Sequence, residues 1–176
     1  MKITKIKFYV DLKTITISEE FSSNQCNLYI MADNIDYPHK NYMGLPITIF
    51  RWLLKELRLL IVNNKTIKER YVYFYPDTNN YFIQFEMIDD EKLKIILNNR
   101  RAKNSIFLHT IFYKEGNTKN IELYCDFNEL FKEVYEYALL INDACSKVEV
   151  YGGDIYELQT QLRLSKSLYN KIIRSS

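Results

Sequence analysis

The chain has 176 residues, 47% hydrophobic and 26% charged, with 24 basic and 22 acidic side chains and a formal net charge of +2. That balance belongs to a folded globular chain, not to a disordered one, and Cys26, Cys125 and Cys145 are too few and too scattered for a disulfide framework or a zinc ribbon. No Pro, Gly or Ser-rich linker interrupts it, so residues 1–176 read as a single domain.

Lys5 to Leu12 alternates Ile6, Phe8, Val10 and Leu12 against Lys5, Lys7, Tyr9 and Asp11, and Ile15 and Ile17 continue the pattern to Ser18. This period of two predicts an opening hairpin. Lys7, Asp11 and Lys13 break up the apolar residues behind the basic start, so no signal peptide is expected and the expected location is cytoplasmic. Asn27 to Met31 reads as a third strand, and Asp33 to Leu45, around Pro38 and Gly44, as an irregular loop. Pro46 suits the first turn of a helix, where its missing N–H costs nothing. Phe50, Leu53, Leu54, Leu57, Leu60 and Ile61 then recur at helical spacing up to Asn63-Asn64, with Trp52 at the border of the stripe. The longest apolar run, Leu57 to Val62, contains Arg58 and falls far short of the roughly 20 residues of a membrane helix, so no membrane partner is expected.

From Glu69 to Asp126 the period is two almost throughout. Val72 and Phe74 oppose Tyr71 and Tyr73; Ile83, Phe85 and Met87 oppose Phe82, Gln84 and Glu86; Leu93, Ile95 and Leu97 oppose Lys94 and Ile96. Leu108 and Thr110 oppose Phe107, His109, Ile111 and Tyr113 in a run from Ile106, and Leu123 and Cys125 oppose Glu122 and Tyr124. The breaks, such as Asp89-Asp90-Glu91, are short and rich in turn formers, which favours an antiparallel meander over parallel crossovers.

Asp126 can cap the next helix, with Glu129 placed to bond back. Phe127, Leu130, Phe131, Val134, Ala138 and Ile141 form its apolar face, leaving Glu129, Lys132, Glu133 and Glu136 on an acidic outer face. Lys147 to Tyr151 reads as a short strand; after Gly152-Gly153, Asp154 and Glu157 repeat the capping pattern ahead of a final helix buried through Ile155, Leu158, Leu162, Tyr169 and Ile172. The expected fold is therefore α+β, an antiparallel β-meander of about five central strands plus an N-terminal hairpin, packed against two or three helices.

The charge is unevenly laid along the chain: residues 121–160 carry 9 acidic and 2 basic side chains, and 161–176 carry 4 basic and none acidic. Such segregation suits a solvated helix face or an electrostatic docking face.

The common local signatures of catalysis are missing: no phosphate-binding Gly loop, no Gly-x-Ser-x-Gly elbow, no His-Glu-x-x-His and no Cys-x-x-Cys. His39 shares a loop with Asp33 and Asp36, a donor set suited to a divalent ion, but a loop spacing fixes no ligand geometry and the reading is a solvated loop with no metal or cofactor expected. His109 can meet Glu86 or Glu122 across strands, yet no nucleophile stands beside it, so no catalytic residue is assigned. What the meander does offer is a second face, bearing Phe82, Glu86, His109, Tyr113 and Tyr124, too polar for a core and too aromatic for an idle surface. With Glu129, Glu133 and Glu136 these form the candidate protein-binding set.

Opening strands, the Gly44-Leu45-Pro46 entry into a helix bearing Trp52, the Tyr81 to Leu97 hairpin and the Phe127 to Ile141 helix together resemble the layout of small bacterial immunity proteins of polymorphic-toxin systems. That resemblance implies a non-enzymatic protein that binds a cognate toxin domain and neutralises it. A different reading is a helix-grip-like small-molecule-binding protein or enzyme, with a pocket between the meander and the long helix. A third is nucleic-acid binding through the basic loop at Arg100-Arg101 and Lys103, disfavoured by the balanced overall charge. A homodimer through an open strand edge such as Lys119 to Cys125 is also compatible with the pattern.

Overall fold

The spine of the N-terminal sheet is β3 (Ser23–Ala32). In the computed structural model, which describes residues 2–18, 23–62, 69–74, 80–99, 120–146 and 153–175, β1 (Ile6–Val10) runs antiparallel to it, with Ile6 opposite Ala32 and Val10 opposite Leu28. β2 (Thr16–Ser18) pairs with the beginning of the same strand, Thr16 opposite Gln25. An antiparallel N-terminal pairing is present as expected, but β1 and β2 share β3 as partner and do not pair with each other. The reason is local: Asp11 accepts from the Lys13 N–H at 3.1 Å and nucleates a 3-10 turn over Leu12–Thr14, which offsets the chain without reversing it.

Ile30 is flanked on one side by Phe8 and on the other by Tyr37, so β4 (Ile35–Tyr37) occupies the opposite edge of β3, followed by β5 (Met43–Gly44) opposite Cys26 and Asn27. The stretch expected as an irregular loop thus contributes two short strands. Asp33 makes the reversal into β4 at φ 51°, a left-handed conformation that Asp tolerates better than most residues. Gly44 is required by packing: a Cβ there would stand 2.4 Å from Leu28 Cδ2, on a fully buried side chain, and 3.0 Å from Tyr42 Cε1. Gly44→Ala is therefore expected to destabilise by about 1–3 kcal/mol, read as a lower urea midpoint at an unchanged m-value.

α1 (Pro46–Val62) follows with Pro46 in its first turn, and buries Ile47, Ile49, Phe50, Leu53, Leu54, Leu57 and Leu60. β6 (Glu69–Tyr73), β7 (Tyr81–Met87), β8 (Lys92–Asn99) and β9 (Ile121–Asp126) form the meander, neighbours in that order and all antiparallel. β9 pairs directly with β8, Leu97 opposite Ile121 and Lys92 opposite Asp126, so nothing is interposed between them. The expected strand from Ile106 to Tyr113 and the short one from Lys147 to Tyr151 lie outside the described residues.

Cross-strand rows place Val72, Ile83 and Leu97, then Phe85, Ile95 and Leu123, then Met87, Leu93 and Cys125 on the inner face, all buried. Ile6, Phe8 and Ile30 of the first sheet meet Ile83, Phe85, Ile95 and Leu97 of the second, closed by Leu130 of α2 (Phe127–Ser146). The N-terminal sheet therefore covers the apolar face of the meander. α2 starts where expected, with Asp126 Oδ1 accepting from the Glu129 N–H at 2.8 Å.

α3 (Gly153–Ser175) packs on both α1 and α2. The expected capping box at its start is replaced by a cross-helix clamp. Asp154 accepts from the Thr48 hydroxyl at 2.6 Å and pairs with Arg51 at 3.2 Å, and Glu157 also pairs with Arg51. Thr4, just before β1, reaches the second sheet, and β1 itself reaches α2. The Thr4 N–H donates to the Tyr124 carbonyl at 2.7 Å, and the Phe8 N–H to the Glu133 carboxylate at 3.4 Å. An edge strand is thereby blunted by a charged side chain.

Candidate protein-binding face

The outer face of the meander is assembled by the same registers that build the core. Glu69, Glu86, Lys94 and Tyr124 form one row; Tyr71, Gln84, Ile96 and Glu122 the next; Tyr73, Phe82 and Asn98 the third. Alternation places them there because every second side chain of a strand points the same way. Aromatic residues gather at one end of the face, where the Phe82 ring lies 5.7 Å from that of Tyr73 and 6.3 Å from that of Tyr71. Phe82 is buried at 6% exposure beneath them, whereas Tyr71 and Tyr73 remain 40% and 43% exposed.

Charge gathers at the other end. Lys94 stands 3.4 Å from Glu122 and 3.9 Å from Glu86. Partial desolvation pushes its ammonium down, but the hydrogen bond and charge of Glu122, with the charge of Glu86, outweigh that and raise its pKa. The lysine stays cationic, and the three charges form a fixed pattern of alternating sign beside the aromatic end. At this degree of exposure such pairs add little stability.

Of the sequence-derived candidates, the structure brings Phe82, Glu86 and Tyr124 together on this face. His109 and Tyr113 lie outside the described residues, as do Arg100, Arg101 and Lys103. Glu129, at the start of α2, is exposed. Glu133 and Glu136 serve internal contacts: the first receives the Phe8 N–H, the second accepts from the Tyr169 hydroxyl at 3.1 Å. The outward side of α2 consequently carries Leu139 and Leu140, 44% and 51% exposed, as well as acids. Tyr71, Tyr73 and Ile96 belong to the face as well, beyond the candidate set. The alternation that marked Phe82 marks them too, once β6 is known to border β7 and β8 to follow it.

Elsewhere the polar groups weighed for chemistry are engaged. Asp33 pairs with Lys2 at 2.8 Å and Asp36 with Lys40 at 3.7 Å, while the His39 ring meets Tyr42 and Tyr81 edge-on. Cys26, Cys125 and Cys145 are free and buried; burial pushes the Cys125 thiol up to about 12, so it is protonated at neutral pH. Where the helix-grip reading would put a ligand, the residues from Ile6 to Leu130 that join the two sheets and α2 enclose a void of about 10 Å³, room for no more than a water and wholly apolar. No helix among the described residues is long and apolar enough to cross a membrane.

Comparison with protein-family models, curated proteins and solved structures finds no match. The functional reading therefore rests on the chain's own geometry. The sheet presents two exposed tyrosines over a buried phenylalanine, next to Lys94 held between Glu86 and Glu122. The face thus pairs an aromatic end with a charged end, residue types that protein interfaces also use.

Proposed function

We propose that the protein is a non-enzymatic protein-binding module of the immunity type, which binds a cognate bacterial toxin domain through the outer face of the meander and blocks it. The observation that carries this reading is the exposure of Tyr71 and Tyr73 over Phe82 on the same face of the sheet that brings Glu86, Lys94 and Glu122 together. Aromatic side chains with two rotatable bonds lose little entropy on docking, and strands hold them in fixed positions, so the face is organised in advance for a partner. The layout shared with immunity proteins points to a toxin domain as that partner, and the cytoplasm is where such a complex would act.

Co-expression with the product of the adjacent gene, followed by affinity purification, is the test. A stable complex is expected, weakened at least about tenfold by Tyr73→Ala and by Lys94→Glu, since an aromatic anchor buried on docking is worth about 2 kcal/mol. A neighbour that forms no complex, or a complex indifferent to both substitutions, sinks the reading.

A further inference from the structure

The C-terminal half of α3 carries an unusual distribution of charge. Its last acidic residue is Glu157, which pairs with Arg51; beyond it come Arg163, Lys166, Lys171 and Arg174, all exposed. At 100° per residue these four fall within an arc of about 140°, together with Ser167 and Asn170. The six line one shallow depression on the surface. No ion pair or side-chain hydrogen bond engages the four cations among the described residues.

Helix electrostatics accounts for only half of this stripe. A cation stabilises a helix end within the last turn, which covers Lys171 and Arg174 but not Arg163 or Lys166, some three turns from the end. Like charges three residues apart, as in both the 163/166 and 171/174 pairs, cost the helix stability in place of supporting it. The residues beside the stripe are also not those of a merely solvated face. Leu164 lies on one border and Ile173 on the other, 50% and 45% exposed.

We propose that this face of α3 docks an acidic, leucine-bearing helical segment of a partner protein. The four cations span about 16 Å along the axis, and a helix with a carboxylate every three or four residues lays down charges over the same rise. Leu164 and Ile173 give apolar shoulders on which leucines flanking the carboxylates can be buried. Those shoulders decide between occupants. Phosphate backbones take no benefit from aliphatic side chains, and the stripe itself holds no aromatic ring on which a base can stack. A bilayer requires its apolar contacts beneath the cations, whereas here they stand at opposite borders. The inference is independent of whether the sheet face binds a toxin domain.

The test uses the full chain with three probes: a fluorescent helical peptide of alternating glutamate and leucine faces, an oligothymidylate of equal charge, and vesicles containing phosphatidylserine. The peptide is expected to bind, in a salt-dependent manner, and binding is expected to weaken at least about tenfold with Arg163→Glu/Lys171→Glu. Leu164→Ser/Ile173→Ser should weaken the peptide by about threefold or more, and Lys7→Glu on β1 should leave it unchanged. Circular dichroism checks that each exposed substitution keeps the fold. Oligonucleotide or vesicle binding as tight as that of the peptide overturns the proposal, as does peptide binding indifferent to charge reversal or absent altogether.

Discussion

Phe8→Ala is expected to lower the free energy of unfolding by about 3–5 kcal/mol, a fall in melting temperature of roughly 10 °C for a chain of this length. Phe8 is 2% exposed and belongs to no single layer. Its ring lies 5.1 Å from that of Phe50 on α1 and 6.3 Å from that of Tyr137 on α2, and it borders the small void that Ile83, Phe85 and Ile95 of the meander also line. Removing it would enlarge that void at the point where both sheets and two helices converge. Collapse to fill the space would require movement of all four at once, so the upper part of the range is expected. Urea or thermal unfolding measures it, with Phe8→Leu expected to recover most of the loss. A cost below about 1 kcal/mol would mean that the junction repacks freely.

Arg70→Ala is the second large effect, about 3–5 kcal/mol. Arg70 sits on the inner face of the meander, opposite Phe85, and its guanidinium reaches Glu56 of α1 at 3.5 Å. The two side chains keep only 17% and 9% of their accessible surface. Truncating the arginine strands a carboxylate that is already poorly solvated. Replacing both partners by leucine is expected to be neutral or stabilising, because the desolvation penalty disappears with the pair. Burial pushes the Glu56 carboxyl above its ordinary value, against the opposing pull of Arg70. A folded pKa above the unfolded one gives a contribution fully present below the ordinary carboxylate pKa of about 4.3 and lost as pH rises through the folded value. Glu56→Gln should therefore gain in melting temperature relative to the native chain between about pH 4 and neutrality. A difference that stays flat with pH would show that the carboxyl is not shifted.

That pair also marks how far local pattern reaches. Alternation from Val72 places Arg70 on the inner face, but only the approach of α1 reveals what neutralises it. The buried rows of the meander were legible because each strand has one covered face, and the same alternation exposed Phe82, Glu86 and Tyr124 as a second surface. Which strand borders which was not legible, since a period of two is indifferent to neighbours; hence β2 pairs with β3 and not β1, and β8 meets β9 directly. β4 and β5 are three and two residues long, too short to show any period. Asp154 and Glu157 fit a capping pattern, yet Arg51 lies across the helix pair, beyond what spacing along one helix can report. Glu133 and Glu136 sit on the polar side of α2 as periodicity requires, but β1 and Tyr169 reach them from either flank.

The bond between Thr4 and Tyr124 has a bearing on the order in which the molecule assembles. β1 must wait for partners more than a hundred residues further along the chain, β9 and Glu133 on α2, before its free side is occupied. Closing so long a loop costs entropy that is recovered only when the distant partners are already in position. The meander with its helices can thus form as a template on which β1 latches shut, and this strand commits to its final place only after α2 has been made.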